Sequence, residues 1–239
     1  MIVITMAGLS SRFSREGYKL PKYALPLWGR TMFDWAVSSF DKFFLNEKFL
    51  FVIRPDEFAQ EFVTSSASLL GIKDYEIFKL QRDTRGQAET AYICLKSYIK
   101  DFPVIIFNID TIRYNYQKPE FLPECDGYLE VFHGDGEHWS FVDPGPEQSV
   151  IRTTEKERIS DLCSDGLYYF KSQLQFRRIF EQAMAVNEQV KGEFYIAPLY
   201  NRLIEAGGMV KYEIIGSEQI DFCGTPDEYE SLLQKKAQI

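Results

Sequence analysis

Histidine and cysteine are scarce in this chain: His133 and His138 are the two histidines, and four cysteines are spread over 239 residues. Cys94, Cys125, Cys163 and Cys223 form no CxxC pair, which excludes a zinc knuckle and a disulfide framework and reads as reduced thiols in or near a core. No Ser-His-Asp or Cys-His constellation has sequence support, so triad chemistry is not expected. The two histidines bracket Gly134-Asp-Gly-Glu137, which reads as a plain hairpin loop. No run approaches the roughly 18–20 apolar residues needed to cross a bilayer, and Met1-Ile-Val-Ile-Thr5 lacks the basic segment of a signal peptide. A cytoplasmic protein with no membrane partner is expected. Neither the Gly-x-x-x-x-Gly-Lys of a P-loop nor the Gly-x-Gly-x-x-Gly of a dinucleotide fold is found.

Positive charge is also in deficit, with 27 Lys and Arg against 35 Asp and Glu and a net charge of −8. Such a surface repels phosphate backbones, so nucleic acid is not an expected partner. The 45% hydrophobic and 26% charged residues suit a globular core and exclude disorder, collagen and coiled coil.

The hydrophobic pattern alternates in period. Residues 2–6 form a β-branched run that empties into a loop reaching about Gly29. Thr31 and Asp34 then have capping-box spacing, ahead of apolar residues at helical intervals. Strands at 48–53, 75–80 and 104–109 alternate with helices opened by Pro55-Asp56 and running over about 87–99. This order predicts an α/β fold, a Rossmann-like, mostly parallel sheet flanked by helices, with ligands beyond the carboxyl ends of its strands. After Asp110 short strands at 127–132, 139–142, 150–153 and 167–170 lack intervening helices, which reads as a mixed or antiparallel region. Helices over about 173–187 and 196–206, a strand at 210–215 and a helix from Pro226 complete the chain.

Arg12, Arg15, Lys19 and Lys22 gather positive charge in the loop after the first strand of an acidic protein. A glycine followed by serines lets backbone N–H groups approach phosphate oxygens, and the cations suit a triphosphate or a pyrophosphate leaving group. Asp110 follows the run Val104-Ile-Ile-Phe107 at the end of a central strand, where a carboxylate can hold Mg²⁺ against phosphate.

The segments Gly8-Leu-Ser-Ser-Arg12 and Pro21-Lys22-Tyr-Ala-Leu-Pro26, with Gly29 before the first long helix, resemble the opening of the sugar-1-phosphate nucleotidylyltransferases, the NDP-sugar pyrophosphorylases of the capsule or surface-polysaccharide type. Gln81-Arg-Asp-Thr-Arg-Gly86-Gln-Ala88 is similar to their base-reading segment, with Gln87 and Glu89 in place of commoner small residues. Arg152-Thr-Thr-Glu-Lys156, Gly166-Leu-Tyr-Tyr-Phe170 and Gly192-Glu193 resemble the acceptor-facing elements. Asp221-Phe-Cys-Gly224-Thr-Pro226 is similar to their Asp-x-Gly-Thr-Pro motif, the aspartate being three residues before the glycine instead of two.

The resemblance implies a single nucleotidyltransferase domain over 1–239, residues 1–115 forming a nucleotide-binding half and 116–239 an acceptor-binding half. It implies that Arg12 and Lys22 are catalytic, and that Ala7, Gly8, Ser10, Ser11, Gln81, Gly86 and Gln87 bind nucleotide. Lys156, Gly166 and Glu193 would bind the acceptor, and Asp110 and Asp221 would ligate Mg²⁺. The substrates implied are an NTP, pyrimidine favoured, and a phosphorylated small molecule such as a sugar 1-phosphate, giving an NDP-sugar for surface polysaccharide. Homo-oligomers are common in such families. Three other activities fit the same residues: a cytidylyltransferase acting on a non-sugar phosphate, a glycosyltransferase reading Asn108-Ile-Asp110 as its acidic motif, and a silent nucleotide-binding regulatory subunit.

Overall fold

The computed structural model describes residues 1–235. Its first half runs β1 (Ile2–Thr5), α1 (Ser11–Arg15), β2 (Pro26–Leu27), β3 (Arg30–Thr31), α2 (Met32–Ser38), β4 (Lys48–Ile53), α3 (Glu57–Leu70), β5 (Asp74–Lys79), α4 (Gln87–Leu95) and β6 (Val104–Asn108). Then come β7 (Thr111–Arg113), β8 (Gly127–His133), β9 (Ser140–Pro144), β10 (Val150–Glu155), β11 (Leu162–Phe170), α5 (Gln173–Ala185), α6 (Leu199–Glu205), β12 (Val210–Ile214), β13 (Ile220–Phe222) and α7 (Pro226–Gln234).

A nine-stranded sheet runs through both halves in the order β10-β9-β11-β6-β1-β4-β5, with β8 on β11 and β12 on β8. The expected parallel block is present: β1 pairs in parallel with β4 and β6, and β4 with β5. Beyond β6 the sheet turns mixed, β11 running antiparallel to both β6 and β8. Alternation along these strands feeds two cores. Val3, Leu50, Val52 and Ile106 pack with Ala88, Phe176 and Phe180 of α4 and α5, whereas Ile2, Ile4, Phe49, Phe51 and Phe107 pack with Phe33 and Val63 of α2 and α3. The capping box at α2 is formed, Asp34 N–H donating to Thr31 Oγ1 at 3.1 Å and Thr31 N–H to Asp34 Oδ2 at 2.9 Å. Among the described residues no helix is long and apolar enough to cross a membrane.

Three elements depart from the sequence reading. The segment from Ala7 to Gly29 is not one loop, because Phe13 is buried against Leu25, Leu27, Trp35 and Tyr229 in a third cluster, and that contact folds Ser11–Arg15 into a helix. Helix α4 stops at Leu95, where the Ser97 hydroxyl donates to the Cys94 carbonyl at 2.7 Å. Residues 111–113 are a strand, β7, pairing antiparallel with β13. Arg113 on β7 is buried and donates Nε to Glu130 Oε2 at 2.7 Å and Nη2 to Oε1 at 3.1 Å, tying this small sheet to β8. Burial, reinforced by the nearby Glu130 charge, pushes the Asp165 carboxyl of β11 well above its ordinary range.

Removing one partner of a buried ion pair strands the other charge in a poor solvent. Arg113→Met is therefore expected to lower the unfolding free energy by about 3–5 kcal/mol, measured by urea titration, and Arg113→Met combined with Glu130→Leu to recover most of it. Equal losses in the single and double variants would show that the pair is not what β7 depends on.

Candidate active site

The carboxyl ends of β1, β4 and β6 open on a cavity of about 570 Å³. Its floor is Thr5, Met6, Ala7 and Gly8 after β1, Arg54 after β4, and Asn108, Ile109 and Asp110 after β6. Lys22 reaches across this rim, its Nζ lying 2.5 Å from Asp110 Oδ2, so the loop after β1 is fastened to the end of β6 by charge. Arg12 also lines the cavity, exposed and without an ion pair among the described residues. Ser10 and Ser11 do not line it. Ser10, at φ 50°, instead accepts the Lys22 backbone N–H on its hydroxyl at 3.3 Å and lines an adjoining pocket of about 230 Å³ with Lys19.

The segment from Gln81 to Gln87 divides in the same way. Gly86 and Gln87 line the cavity, Gln87 Nε2 donating to Thr5 Oγ1 at 3.1 Å and to Asn108 Oδ1. Gln81 is exposed outside it, its amide directed to the Lys79 carbonyl. Gly86 has φ 111°, and a Cβ there would stand 2.5 Å from the Phe194 carbonyl oxygen, so only glycine fits. The turn is pinned by Glu89, which is 2% exposed and accepts from the Arg85 backbone N–H at 2.6 Å and from Arg82 Nη2 at 2.8 Å. The Arg85 carbonyl in turn accepts the Phe194 N–H at 2.6 Å, which joins the turn at Gly86 to the segment carrying Glu193 and Tyr195.

Of the residues that the resemblance assigns to the acceptor, Gly166 and Glu193 line the cavity. Gly166 has φ 93° within the irregular stretch of β11, and a Cβ would meet Asn108 Nδ2 at 2.2 Å. Lys156 is not among the lining residues. Its backbone has φ 55°, and its ammonium is turned onto Tyr195, touching the hydroxyl and standing 4.3 Å from the ring centroid. The wall is completed by residues to which the sequence reading assigned no site role: His138 of the supposed hairpin loop, Trp139 and Ser140 of the expected strand over 139–142, Glu155, Tyr168, Tyr195 and Phe222. Glu155 is buried and its Oε2 accepts from the Ser140 hydroxyl; burial raises its carboxyl above the usual glutamate range.

Asp221 is not brought to Asp110. It is buried, accepting from Tyr114 Oη at 2.9 Å and Lys235 Nζ at 2.7 Å, while its neighbour Phe222 faces the cavity. Successive side chains of a strand point to opposite faces, and β13 is regularly paired with β7, so no bulge corrects the one-residue shift. Gly224 lies against Asp110, where a Cβ would be 3.0 Å from Oδ2, and Glu228 also lines the cavity while accepting from the N–H groups of Gly224 and Thr225 at 2.8 and 3.0 Å.

Burial alone would raise the Glu89 carboxyl, but the side-chain and backbone hydrogen bonds from Arg85 and the bond from Arg82 more than reverse this, lowering it from 4.5 to about 2. A depressed carboxyl stabilises the fold above its unfolded value and loses that contribution as pH falls towards the folded one. Glu89→Gln is thus expected to be less stable than the parent at pH 7, with the gap between their urea midpoints narrowing towards pH 3. A gap independent of pH would show that the Glu89 charge does not hold the turn.

No family model and no curated protein matches the chain. Among solved structures it is 43% identical, with a TM-score of 0.93, to a nucleoside-diphosphate-sugar pyrophosphorylase from Vibrio cholerae RC9, over 98% of this chain and 100% of that one. A putative glucose-1-phosphate thymidylyltransferase from Bacillus anthracis, 16% identical, matches over 100% of this chain and 97% of that one with a TM-score of 0.75. An inositol-1-phosphate CTP transferase from T. maritima, 13% identical, covers the same shares with a TM-score of 0.73. The latter two share the nucleotidyltransferase fold. The identity to the first, sustained over both chains, carries the assignment: this chain belongs to the nucleoside-diphosphate-sugar pyrophosphorylase family.

Proposed function

We propose that the chain transfers a nucleoside monophosphate from an NTP, pyrimidine favoured, to a phosphorylated acceptor, releasing pyrophosphate and forming an activated compound for surface polysaccharide. The observation that carries this reading is the meeting of Lys22, Arg12 and Asp110 at one end of a cavity whose other end is built from the acceptor half of the chain. In the reaction a phosphate oxygen of the acceptor attacks the α-phosphorus, the bond to the bridging β-oxygen breaks, and pyrophosphate leaves with that electron pair. A phosphate with a second pKa of about 6 is already largely dianionic at pH 7, so no general base is needed. The protein's part is alignment and charge. Arg12 faces the triphosphate, Lys22 donates to oxygens on the α-phosphorus, and the Gln87–Asn108 pair borders the base.

Magnesium fits in one form. Mg²⁺ is commonly held by one or two carboxylates with phosphate oxygens and water. Asp110 offers one carboxylate at the rim, and among the described residues no cluster of three or more His, Cys, Asp or Glu could cage a metal. The ion would thus be held by Asp110 and the nucleotide together, and when bound it would neutralise charge on the phosphate oxygens. Family membership supports pyrophosphate release over glycosyl transfer. In agreement, Asn108 Oδ1 is taken by Gln87 and Asp110 Oδ2 by Lys22, so the two do not act as an acidic pair.

Thermal unfolding with ATP, GTP, CTP, UTP and dTTP, each with and without Mg²⁺, should show one pyrimidine nucleotide adding about 2.7 kcal/mol at a hundred times its dissociation constant. Lys22→Ala should lower kcat about a hundredfold to a thousandfold with the fold retained, and a near-normal kcat would remove Lys22 from the mechanism. Asp110→Asn should raise the Mg²⁺ concentration needed for half-maximal nucleotide stabilisation, and an unchanged requirement would rule out Asp110 as the ligand.

A further inference from the structure

Two side-chain amides meet in the cavity, Gln87 at the start of α4 and Asn108 at the end of β6. The Thr5 hydroxyl donates to the Phe107 carbonyl at 3.1 Å, so towards Gln87 its oxygen can only accept, which fixes Gln87 Nε2 on it at 3.1 Å. The second hydrogen of that nitrogen goes to Asn108 Oδ1. Each amide is thereby oriented by its neighbour, and Gly166 leaves the space that Asn108 Nδ2 occupies, since a Cβ there would stand 2.2 Å from it.

What the pair leaves over is one acceptor and one donor. Gln87 Oε1 accepts no hydrogen bond and Asn108 Nδ2 donates none among the described residues, and neither atom is sealed from solvent. A phosphate or carboxylate oxygen suits Nδ2 and is repelled by Oε1, an ammonium suits Oε1 and is repelled by Nδ2, and a methylene satisfies neither. A hydroxyl, which both donates and accepts, satisfies the two together. Its source follows from where the pair stands. Gln87 directly follows Gly86 of the turn that the resemblance assigns to the base, and Asn108 lies two residues before Asp110, which with Lys22 marks the place of the α-phosphate. In a nucleotide the group between the base and the α-phosphate is the sugar ring.

We infer that Gln87 and Asn108 read the C2′ hydroxyl of the nucleotide's ribose, Gln87 Oε1 accepting from it and Asn108 Nδ2 donating to it, which makes this chain selective for ribonucleoside over 2′-deoxyribonucleoside triphosphates. The inference rests on the transferase reading and narrows its nucleotide, and it adds Asn108 to the residues that face that substrate. Without the hydroxyl both amide atoms lose a partner where the cavity walls limit the water that can replace it, the condition under which a hydrogen-bonding site rejects an analogue lacking the group.

The experiment is calorimetric titration of the protein, in the presence of Mg²⁺, with CTP, UTP, ATP and GTP and with the 2′-deoxy form of each. For the base that binds most tightly, the ribonucleotide should have a Kd about tenfold or more below that of its 2′-deoxy counterpart. Asn108→Ala and, independently, Gln87→Ala should weaken the ribonucleotide and leave the 2′-deoxynucleotide nearly unchanged, bringing the ratio of the two towards one. Equal weakening of both nucleotides, with the ratio intact, would make the amides structural and overturn the assignment. Equal Kd values for the two nucleotides in the parent protein would overturn it whether or not the variants fold, and would leave the transferase reading standing with the pair free for a base edge or an acceptor hydroxyl. Binding of none of the triphosphates would remove the transferase reading and this inference with it.

Discussion

The molecule is organised by the register of three parallel strands. Ile2 is paired with Phe49 on one side and Ile105 on the other, so β1, β4 and β6 start level and finish level. Because all three are buried on both faces, a slip of one residue would exchange Val3 and Leu50 with Ile2 and Phe49 between two different cores, and the register is therefore tightly held. Its consequence is that Met6, Arg54 and Ile109 emerge at one rim. Lys22 and Asp110, 88 positions apart, can then meet at 2.5 Å.

The second half of the chain is built under a different constraint. Strand β11 pairs with β8 at both of its ends but is irregular between Ser164 and Tyr168, where the chain carries Asp165 and Gly166 past Asn108. That irregularity turns polar atoms into a buried region, and the charges there are balanced by Arg113, held by Glu130 on β8. The four cysteines take no part in such chemistry: all are buried and free, and burial raises their thiols, which leaves them unreactive.

What could be read from the residues follows from how local the determining contacts are. The strands of the parallel block and the α2 capping box were legible because period and spacing are properties of a few adjacent residues. Gly86 and Gly166 were placed at the site by resemblance, and the structure supplies the reason, a backbone or side-chain atom standing where a Cβ would be. Helix α1 was not legible, since its five residues are ordered by Phe13 packing on Tyr229, more than two hundred positions away. His138 looked like the end of a hairpin loop and Trp139 like the start of a strand, and they became a cavity wall only once β13 brought Phe222 against the indole. Lys156 was found in sequence but not its direction, which depends on a left-handed backbone and on Tyr195.

The departures around Asp221 and Lys156 share a physical logic. Phe222 faces the cavity where the resemblance implies a second metal carboxylate, and Lys156 turns its ammonium onto Tyr195 at 3.9 Å from Glu155 Oε1, where it compensates that buried carboxylate. The cations that line the cavity are likewise paired, Lys22 with Asp110 and Arg54 with Asp83, which leaves Arg12 as the lining cation without an ion pair among the described residues. In a cavity partly shielded from water an unpaired guanidinium attracts an anionic group more strongly than it would in bulk solvent.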